Sequence, residues 1–159
     1  MFHKAVHIFM LISLLALVGC GKAAESDADN ESITGVLYDN PELGIRVLDT
    51  DGWVIEKETA KSVKFTNEKI VAIISVIPKG DTVGEIKQAL ISSAGEITVT
   101  GEGANFISWK SERNESIHTN IFIEEKQDRN VIITFLTPND AYETNRETIE
   151  AFRWNVELY

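Results

Sequence analysis

Few residues of this 159-residue chain are of a type that does catalytic chemistry. Cys20 is the only cysteine, and His118 is the only histidine beyond the first seven residues. A Ser–His–acid triad would have to use His118, and no serine lies in the Gly-X-Ser-X-Gly pattern that presents such a nucleophile. A lone histidine within a strand pattern is more often structural than catalytic. We therefore expect a protein that is not an enzyme, with no catalytic residue.

Two short acidic stretches contain the oxygen ligands that a hard cation such as Ca²⁺ prefers. Asp49-Thr50-Asp51-Gly52 looks like a fragment of a calcium loop, but the third acid and the distal bidentate glutamate are missing. Glu124-Glu125 and Asp128 offer carboxylates as well. Aspartate and glycine are common turn formers, and charged residues are common at hairpin ends. We interpret the first stretch as a solvent-exposed turn and the second as a charged hairpin end, and we expect neither a metal site nor a cofactor.

The charge balance and the aromatic residues exclude one class of partner and suggest another. Fifteen basic against 25 acidic residues leave a formal net charge of −10, which argues against nucleic-acid binding because that requires a basic surface. The three tryptophans, Trp53, Trp109 and Trp154, would suit a ligand pocket. Each lies beside a strand or helix pattern, so we expect them to pack in the core or to be half-buried.

The first 20 residues have the pattern of an export signal. Lys4 is the only fixed charge among them, and the apolar run at 8–18 is shorter than the roughly 20 residues that span a bilayer as a helix. The run ends in Leu17-Val18-Gly19-Cys20, which resembles the lipobox of bacterial lipoproteins. Residues 1–19 are therefore predicted to be a lipoprotein signal peptide that is removed.

The lipobox resemblance implies a lipid anchor at Cys20. In such proteins the cysteine thiol takes up a diacylglyceryl group, a signal peptidase cuts just before it, and acyl chains such as palmitate hold the chain to the membrane. Two acyl chains anchor far more firmly than one. The expected location is the outer face of the plasma membrane in a Gram-positive cell, or the outer membrane in a Gram-negative cell. The alternative is an ordinary secretory signal, which would leave Cys20 as a free thiol.

A linker and one domain are predicted to follow the anchor. Residues 21–32 (GKAAESDADNES) contain no large apolar side chain and are mostly acidic or small. Such a composition cannot bury a core, so 20–32 is predicted to be the lipidated cysteine with a flexible acidic linker. Residues 33–159 show globular patterning without an internal repeat and are predicted to form a single domain.

Period-2 patterns between turn signals dominate this region. They predict strands at 35–38, 45–48, 53–56, 62–66, 70–77, 97–100, 106–111, 117–125 and 131–136. Thr82-Val83-Gly84-Glu85 is a capping-box pattern, which predicts a helix that ends near Gly95. A last helix is predicted after residues 137–140, with Tyr142, Ile149, Phe152 and Val156 as its buried stripe.

The order of the elements predicts an α+β fold. The links between strands are short, so the sheet should be largely antiparallel. Strands 70–77 and 131–136 are apolar at both alternating positions, which is typical of strands that are covered on both faces. The predicted architecture is an antiparallel sheet covered by helices on both faces, an α/β/α sandwich.

Residues 38–47 (YDNPELGIRV), followed by Gly52-Trp53, resemble the opening of PsbP-like domains. Thr137-Pro138 and a helix carrying Tyr142 and Phe152 fit the end of such domains, so the similarity covers roughly residues 35–157. One position departs from it, because Asp51 stands where the family usually has proline. The resemblance implies an antiparallel sheet between helical layers. Its members are typically non-enzymatic accessory or binding proteins of membrane-associated complexes.

Two functional hypotheses follow from these observations. The first is a membrane-anchored lipoprotein that acts as a non-catalytic accessory module by binding another envelope protein. The second is a lipoprotein that binds a small ligand or a cation in a cleft between sheet and helix. The first depends on a complete anchor signal on a domain without catalytic residues, and the second depends on the acidic surface and the tryptophans.

Overall fold

The computed structural model describes residues 35–111 and 116–159. The predicted signal peptide, Cys20 and the linker lie outside the described residues. Among those that are described, 54% are in strands and 21% are helical, so the structure is mostly β.

The elements follow the predicted order closely. The chain runs through β1 (Val36–Asn40), β2 (Ile45–Leu48), β3 (Val54–Thr59), β4 (Ser62–Asn67), β5 (Ile70–Pro78), α1 (Val83–Ala94), β6 (Ile97–Gly103), β7 (Phe106–Ser111), β8 (Ile117–Glu125), β9 (Arg129–Pro138), α2 (Tyr142–Trp154) and β10 (Val156–Leu158). Every predicted strand is present. The structure also contains strand β10, which the sequence pattern did not predict. Val156 belongs to this strand and not to the last helix, where it was predicted to lie.

The strands form two antiparallel sheets. The larger sheet has the order β3-β4-β5-β9-β8-β7-β6, and the smaller has the order β1-β2-β10. In the smaller sheet the last strand pairs with β2, with Val156 opposite Val47 and Leu158 opposite Ile45. This pairing joins residues more than 100 positions apart, so no local pattern could have predicted it.

The predicted fold, a single sheet covered by helices on both faces, is wrong. One face of the larger sheet is covered mainly by the smaller sheet together with α2, and their side chains form one core cluster. On the other face α1 packs mainly over β7 and β8, with Ile97 of β6, Ile132 of β9 and Ile77 of β5 at the edge of the same cluster. Val71, Ile73 and Leu136 lie on that same face by strand register but remain half-buried. Strands β5 and β9 are therefore apolar on both faces, although helix α1 covers only part of the second face.

The main core is built around aromatic side chains from both sheets and α2. The ring of Phe152 lies 4.2 Å from that of Trp53 and 5.2 Å from that of Phe65, measured between centroids. Phe135 completes the group at 5.9 Å from Phe152. This cluster holds α2 against the larger sheet and thereby fixes which side chains α2 presents to the outer strands.

The second core lies under α1. Ile86 is buried against Ile107, Trp109, Ile121 and Ile123 of β7 and β8. The helix begins with the predicted capping box, in which Thr82 accepts from the Glu85 backbone and the Glu85 carboxylate accepts from the Thr82 backbone. These two bonds satisfy backbone donors that the first turn of a helix leaves free.

Candidate functional site

A cleft of about 270 Å³ opens between α2 and strands β7 and β8. It lies on the face opposite α1, in the kind of place where the ligand-binding hypothesis expected a site. The strands contribute Phe106, Asn120 and Phe122, and α2 contributes Tyr142, Arg146, Ile149, Glu150 and Arg153. The strand residues share a face because Phe106 pairs with Phe122 in the register and Asn120 lies two positions before Phe122. The helix residues recur at intervals of three and four positions, which puts them on one side of α2.

His118 lies next to the cleft, buried under the first turn of α2. The residue is 5% exposed, and its ring stacks on the Tyr142 ring, with centroids 3.5 Å apart and planes 5° apart. Burial lowers the pKa of His118 and nearby Lys110 lowers it further, whereas Asn120 and Glu143 act in the opposite direction. The ring is therefore neutral near pH 7. This packing agrees with the structural role expected for a lone strand histidine.

Asn120 is the polar group of this cleft whose bonding is incomplete. The residue is 4% exposed, and its Oδ1 and both ring nitrogens of neighbouring His118 make no hydrogen bond of good geometry among residues 35–111 and 116–159. The two side chains are nevertheless close enough for hydrogen bonding from Asn120 to raise the pKa of His118. The cross-strand neighbour of Asn120, Ser108, is satisfied, because its hydroxyl lies 3.0 Å from that of Thr100. A buried acceptor without a partner is uncommon in folded proteins and calls for an explanation.

The two arginines of the cleft differ in their partners. Nη1 of Arg146 lies 3.4 Å from the Glu143 carboxylate on the same helix. Arg153 lies with its guanidinium 4.0 Å from the centre of the Phe122 ring, and no carboxylate of the described residues lies within 4.0 Å of it. The cleft thus combines an apolar wall with one positive group that is not neutralised by the described part of the chain.

A second feature is the exposed indole of Trp154 at the end of α2. The side chain is 79% exposed, and the Arg153 guanidinium lies 5.8 Å from its ring. A shallow depression beside it is lined by Glu124, Lys126, Val156 and Leu158. We call these six residues the Trp154 patch.

The expectation that all three tryptophans would be core or half-buried is wrong for Trp154. It is confirmed for Trp53 and Trp109, which are buried. The physical reason is helix geometry, because Phe152 faces the core and a residue two positions later points about 200° away from it.

The acidic stretches lie where they were expected. Asp49 and Asp51 are exposed near the turn before β3. Glu125 pairs with Lys79 at 3.1 Å, and Asp128 pairs with Arg129 at 3.3 Å, at the β8–β9 hairpin. Within the described ranges, no group of three or more Asp, Glu, His or Cys side chains is arranged to hold a metal ion.

Sequence reasoning missed Asn120 and Arg153 as site residues. Asn120 gave only a weak signal, because β8 (IHTNIFIEE) also contains His118, Thr119 and two glutamates. Arg153 gave no signal, because a basic residue in the last turn of a helix is common owing to its favourable interaction with the helix dipole.

Within residues 35–111 and 116–159, no helix is both long enough and apolar enough to cross a bilayer.

The fold defined by these two sheets and two helices is that of PsbP-like proteins. No family model and no curated protein matches the sequence. Among solved structures, the chain is similar to cyanobacterial PsbP (CyanoP) from Synechocystis sp. PCC 6803. The TM-score is 0.51 at 10% identity, over 82% of this chain and 96% of that chain. A point mutant of the protein Mog1 gives a TM-score of 0.52 at 7% identity, over 72% of this chain and 90% of that chain. At these identities the similarity shows the fold alone, and it confirms the PsbP-like resemblance at that level.

Proposed function

We propose that this protein is an exported bacterial lipoprotein, anchored through Cys20, whose PsbP-like domain binds an envelope protein as a non-catalytic accessory module. We infer the binding role from the exposure of the Trp154 side chain. The anchor is inferred from the export-signal pattern of the first 20 residues and from the sequence Leu17-Val18-Gly19-Cys20.

An exposed indole is a marked feature of a protein surface. Tryptophan and arginine are the side chains that most often dominate the binding energy of protein interfaces. In the Trp154 patch an exposed tryptophan stands beside Arg153, and the half-buried Val156 and Leu158 continue the apolar surface. Glu124 and Lys126 supply polar groups at its edge, which is the usual arrangement of an interface with an apolar centre and a polar rim.

A lipid anchor favours this kind of role. A protein tethered to a membrane meets other proteins of that membrane at a raised effective concentration, so a modest patch is enough for association. The acidic linker at 20–32 would hold the domain away from anionic lipid headgroups. The patch would then be available to a neighbouring protein.

The binding role is tested by crosslinking in cells, followed by capture of the full-length chain. We expect one partner in near-equal amount with the natural chain. Trp154→Ala should lose most of this partner, whereas Val54→Ala, which removes an exposed apolar side chain from β3, should retain it. Equal recovery with both variants would contradict a role for the Trp154 patch. Turnover of a substrate by the purified domain, abolished by a point substitution, would contradict the non-catalytic role.

The anchor is tested separately with Cys20→Ser. The natural chain should take up a labelled fatty acid and sediment with membranes, and the variant should do neither. An unlabelled natural chain released to the medium would favour the ordinary secretory signal. It would leave the test of the Trp154 patch intact, because that test depends only on the domain.

A further inference from the structure

Strand β10, which carries part of the Trp154 patch, is an open edge of the smaller sheet. It pairs with β2 on one side and with no strand of the described residues on the other. The Asn155 carbonyl accepts from an amide of β2 at 2.9 Å, and the Tyr159 amide donates to the residue before β2 at 3.1 Å. In an antiparallel pair, the residues that bond to the neighbouring strand alternate along the chain. The backbone groups of Glu157 therefore also face β2, and those of Val156 and Leu158 face outward.

Three of these four outward backbone groups are unpaired. The Leu158 carbonyl accepts from Nζ of Lys126 at 3.3 Å. The Val156 amide, the Val156 carbonyl and the Leu158 amide bond to no atom of residues 35–111 and 116–159. Unpaired amides and carbonyls along a sheet edge are the surface to which an extended peptide adds as a further strand.

The other sheet edges differ from β10 in their register. In the described part of the chain the edge strands are β1, β3, β6 and β10. Strands β1, β3 and β6 each contain a shift of register against their neighbour, whereas β10 pairs with β2 without one. Bulges twist an edge and protect it against pairing with another chain. The edge next to Trp154 lacks this protection.

A depression beside this edge would receive the side chains of an added strand. Its volume is about 240 Å³, and it is lined by the Trp154 patch and by Ile133, a core residue of β9 that is 3% exposed. Side chains of a strand alternate between the two faces of a sheet. Every second side chain of a strand added to β10 would therefore point towards this depression, where apolar surface is present.

The charges of the depression favour an acidic segment. Arg153 and Lys126 have no carboxylate within 4.0 Å, and Glu124 has no basic group within 4.0 Å, among residues 35–111 and 116–159. Two cations thus stand against one carboxylate, on a chain whose formal net charge is −10. A partner that carries a carboxylate would be attracted here more than to the rest of this acidic protein.

We propose that the partner of the Trp154 patch binds as an extended acidic segment that adds a fourth strand to the smaller sheet at β10. Its backbone donates to the Val156 carbonyl and accepts from the Val156 and Leu158 amides. One carboxylate side chain pairs with Arg153, and an apolar side chain packs on Trp154. This inference rests on the partner-binding role proposed above and specifies how that partner is recognised.

The backbone contact is tested with Leu158→Pro and its matched reference Leu158→Ala. Both variants lose the leucine side chain, but only proline removes the amide. Because this amide faces away from β2 and Glu157 before it is already extended, proline is compatible with the edge strand. In the crosslinking assay, Leu158→Pro should recover at least tenfold less partner than Leu158→Ala, at a similar melting temperature. Equal recovery by the two variants would overturn the proposal.

Amide hydrogen exchange provides a second test that needs no substitution. In the natural full chain followed by NMR, the amides of Val156 and Leu158 should exchange at least tenfold more slowly with the captured partner than without it. The Glu157 amide, which faces β2, should change little. Unchanged exchange at Val156 and Leu158 in the complex would overturn the proposal, and this result decides alone if Leu158→Pro does not fold.

The charge of the segment is tested with Arg153→Gln. This variant should recover at least threefold less partner, whereas Arg46→Gln, at an arginine of β2 paired with Asp39, should recover as much as the natural chain. Equal recovery with Arg153→Gln would overturn the assignment of an acidic segment. A partner that depends on Trp154 but not on the Leu158 amide would overturn strand addition alone. No partner for the natural chain would contradict the proposed function and this inference together.

Discussion

The ring of Tyr142 lies flat on the ring of His118, with the two centroids 3.5 Å apart. The contact joins the first residue of α2 to the start of β8, beside the cleft between α2 and strands β7 and β8. Because His118 is also buried within the sheet, its imidazole is kept neutral. A histidine in this position makes the stability of the protein depend on pH in a range where few other groups titrate.

We expect the free energy of unfolding to fall as the pH drops through 6.5. Burial and Lys110 lower the pKa of His118 in the folded state, with Asn120 and Glu143 opposing them. The unfolded chain takes up a proton on this residue near pH 6.5, whereas the folded chain takes it up only at lower pH. Stability is therefore complete above pH 6.5 and decreases below it. Urea unfolding at pH 7.5 and 5.5 measures the change.

His118→Phe provides the matched control for this pH dependence. Phenylalanine retains a ring to stack on Tyr142 but has no titratable group. Its stability should be nearly constant between pH 7.5 and 5.5. The lowered pKa values of Asp39, Glu58 and Glu85 affect stability only below about pH 4.5, outside this window. An equal loss of stability in both proteins would mean that His118 is not the group responsible.

Phe152→Ala should destabilise the domain by about 3–5 kcal/mol. Phe152 is fully buried and packs on Trp53, Phe65 and Phe135, so its removal opens a cavity where both sheets meet α2. Trp154→Ala, two positions later on the exposed side, should change stability by no more than about 0.5 kcal/mol. Urea unfolding followed by circular dichroism compares the two. Similar losses of stability in both variants would contradict the finding that Phe152 faces the core and Trp154 faces solvent.

Alkaline unfolding should be linked to Tyr38. Its hydroxyl donates to the Glu58 carboxylate at 2.7 Å, which ties the smaller sheet to β3. Burial and this bond raise the pKa of Tyr38 to about 12. Tyrosine in the unfolded chain ionises near pH 10, so stability is complete below pH 10 and is lost as the pH rises towards 12. Urea unfolding at pH 8 and 11 should show a smaller loss in Tyr38→Phe than in the natural chain.

Tyr159→Phe is the control for that measurement. Hydrogen bonding to Asp39 raises the pKa of Tyr159 as well, but Tyr159 is 54% exposed and Tyr38 is buried. The alkaline loss should therefore depend more on Tyr38 than on Tyr159. The reverse order would contradict the role assigned to the Tyr38–Glu58 bond.

Gly44→Ala should destabilise the protein by about 1–3 kcal/mol. Gly44 has φ +60°, and an added Cβ would meet the Tyr159 carbonyl oxygen and would lie 2.9 Å from the Arg129 guanidinium. Gly80→Ala is the control, because nothing lies within 4 Å of its added Cβ, and it should change stability by no more than about 0.5 kcal/mol. Thermal unfolding compares the variants. An unchanged stability of Gly44→Ala would mean that Tyr159 moves away from the added Cβ at no cost in free energy.

Local patterns were enough to predict most of the elements. The alternation at 106–111 and 117–125 matches β7 and β8 residue for residue, and the Thr82–Glu85 capping box marks the first turn of α1. Ile149 and Phe152 were correctly placed on the buried side of α2. These features depend on residues close together in the chain, whose spacing is set by the geometry of a strand or helix.

The sequence by itself determined the strands and the first helix, because each depends on neighbouring residues. Only the tertiary structure decided that there are two sheets, since β10 exists through its pairing with a distant β2. It also decided that α1 covers only part of one face, which an apolar strand does not reveal. The burial of Asn120 and the exposure of Trp154 likewise depend on how α2 packs against the larger sheet. Contacts between distant segments set burial and hydrogen-bond partners, and no local spacing encodes them.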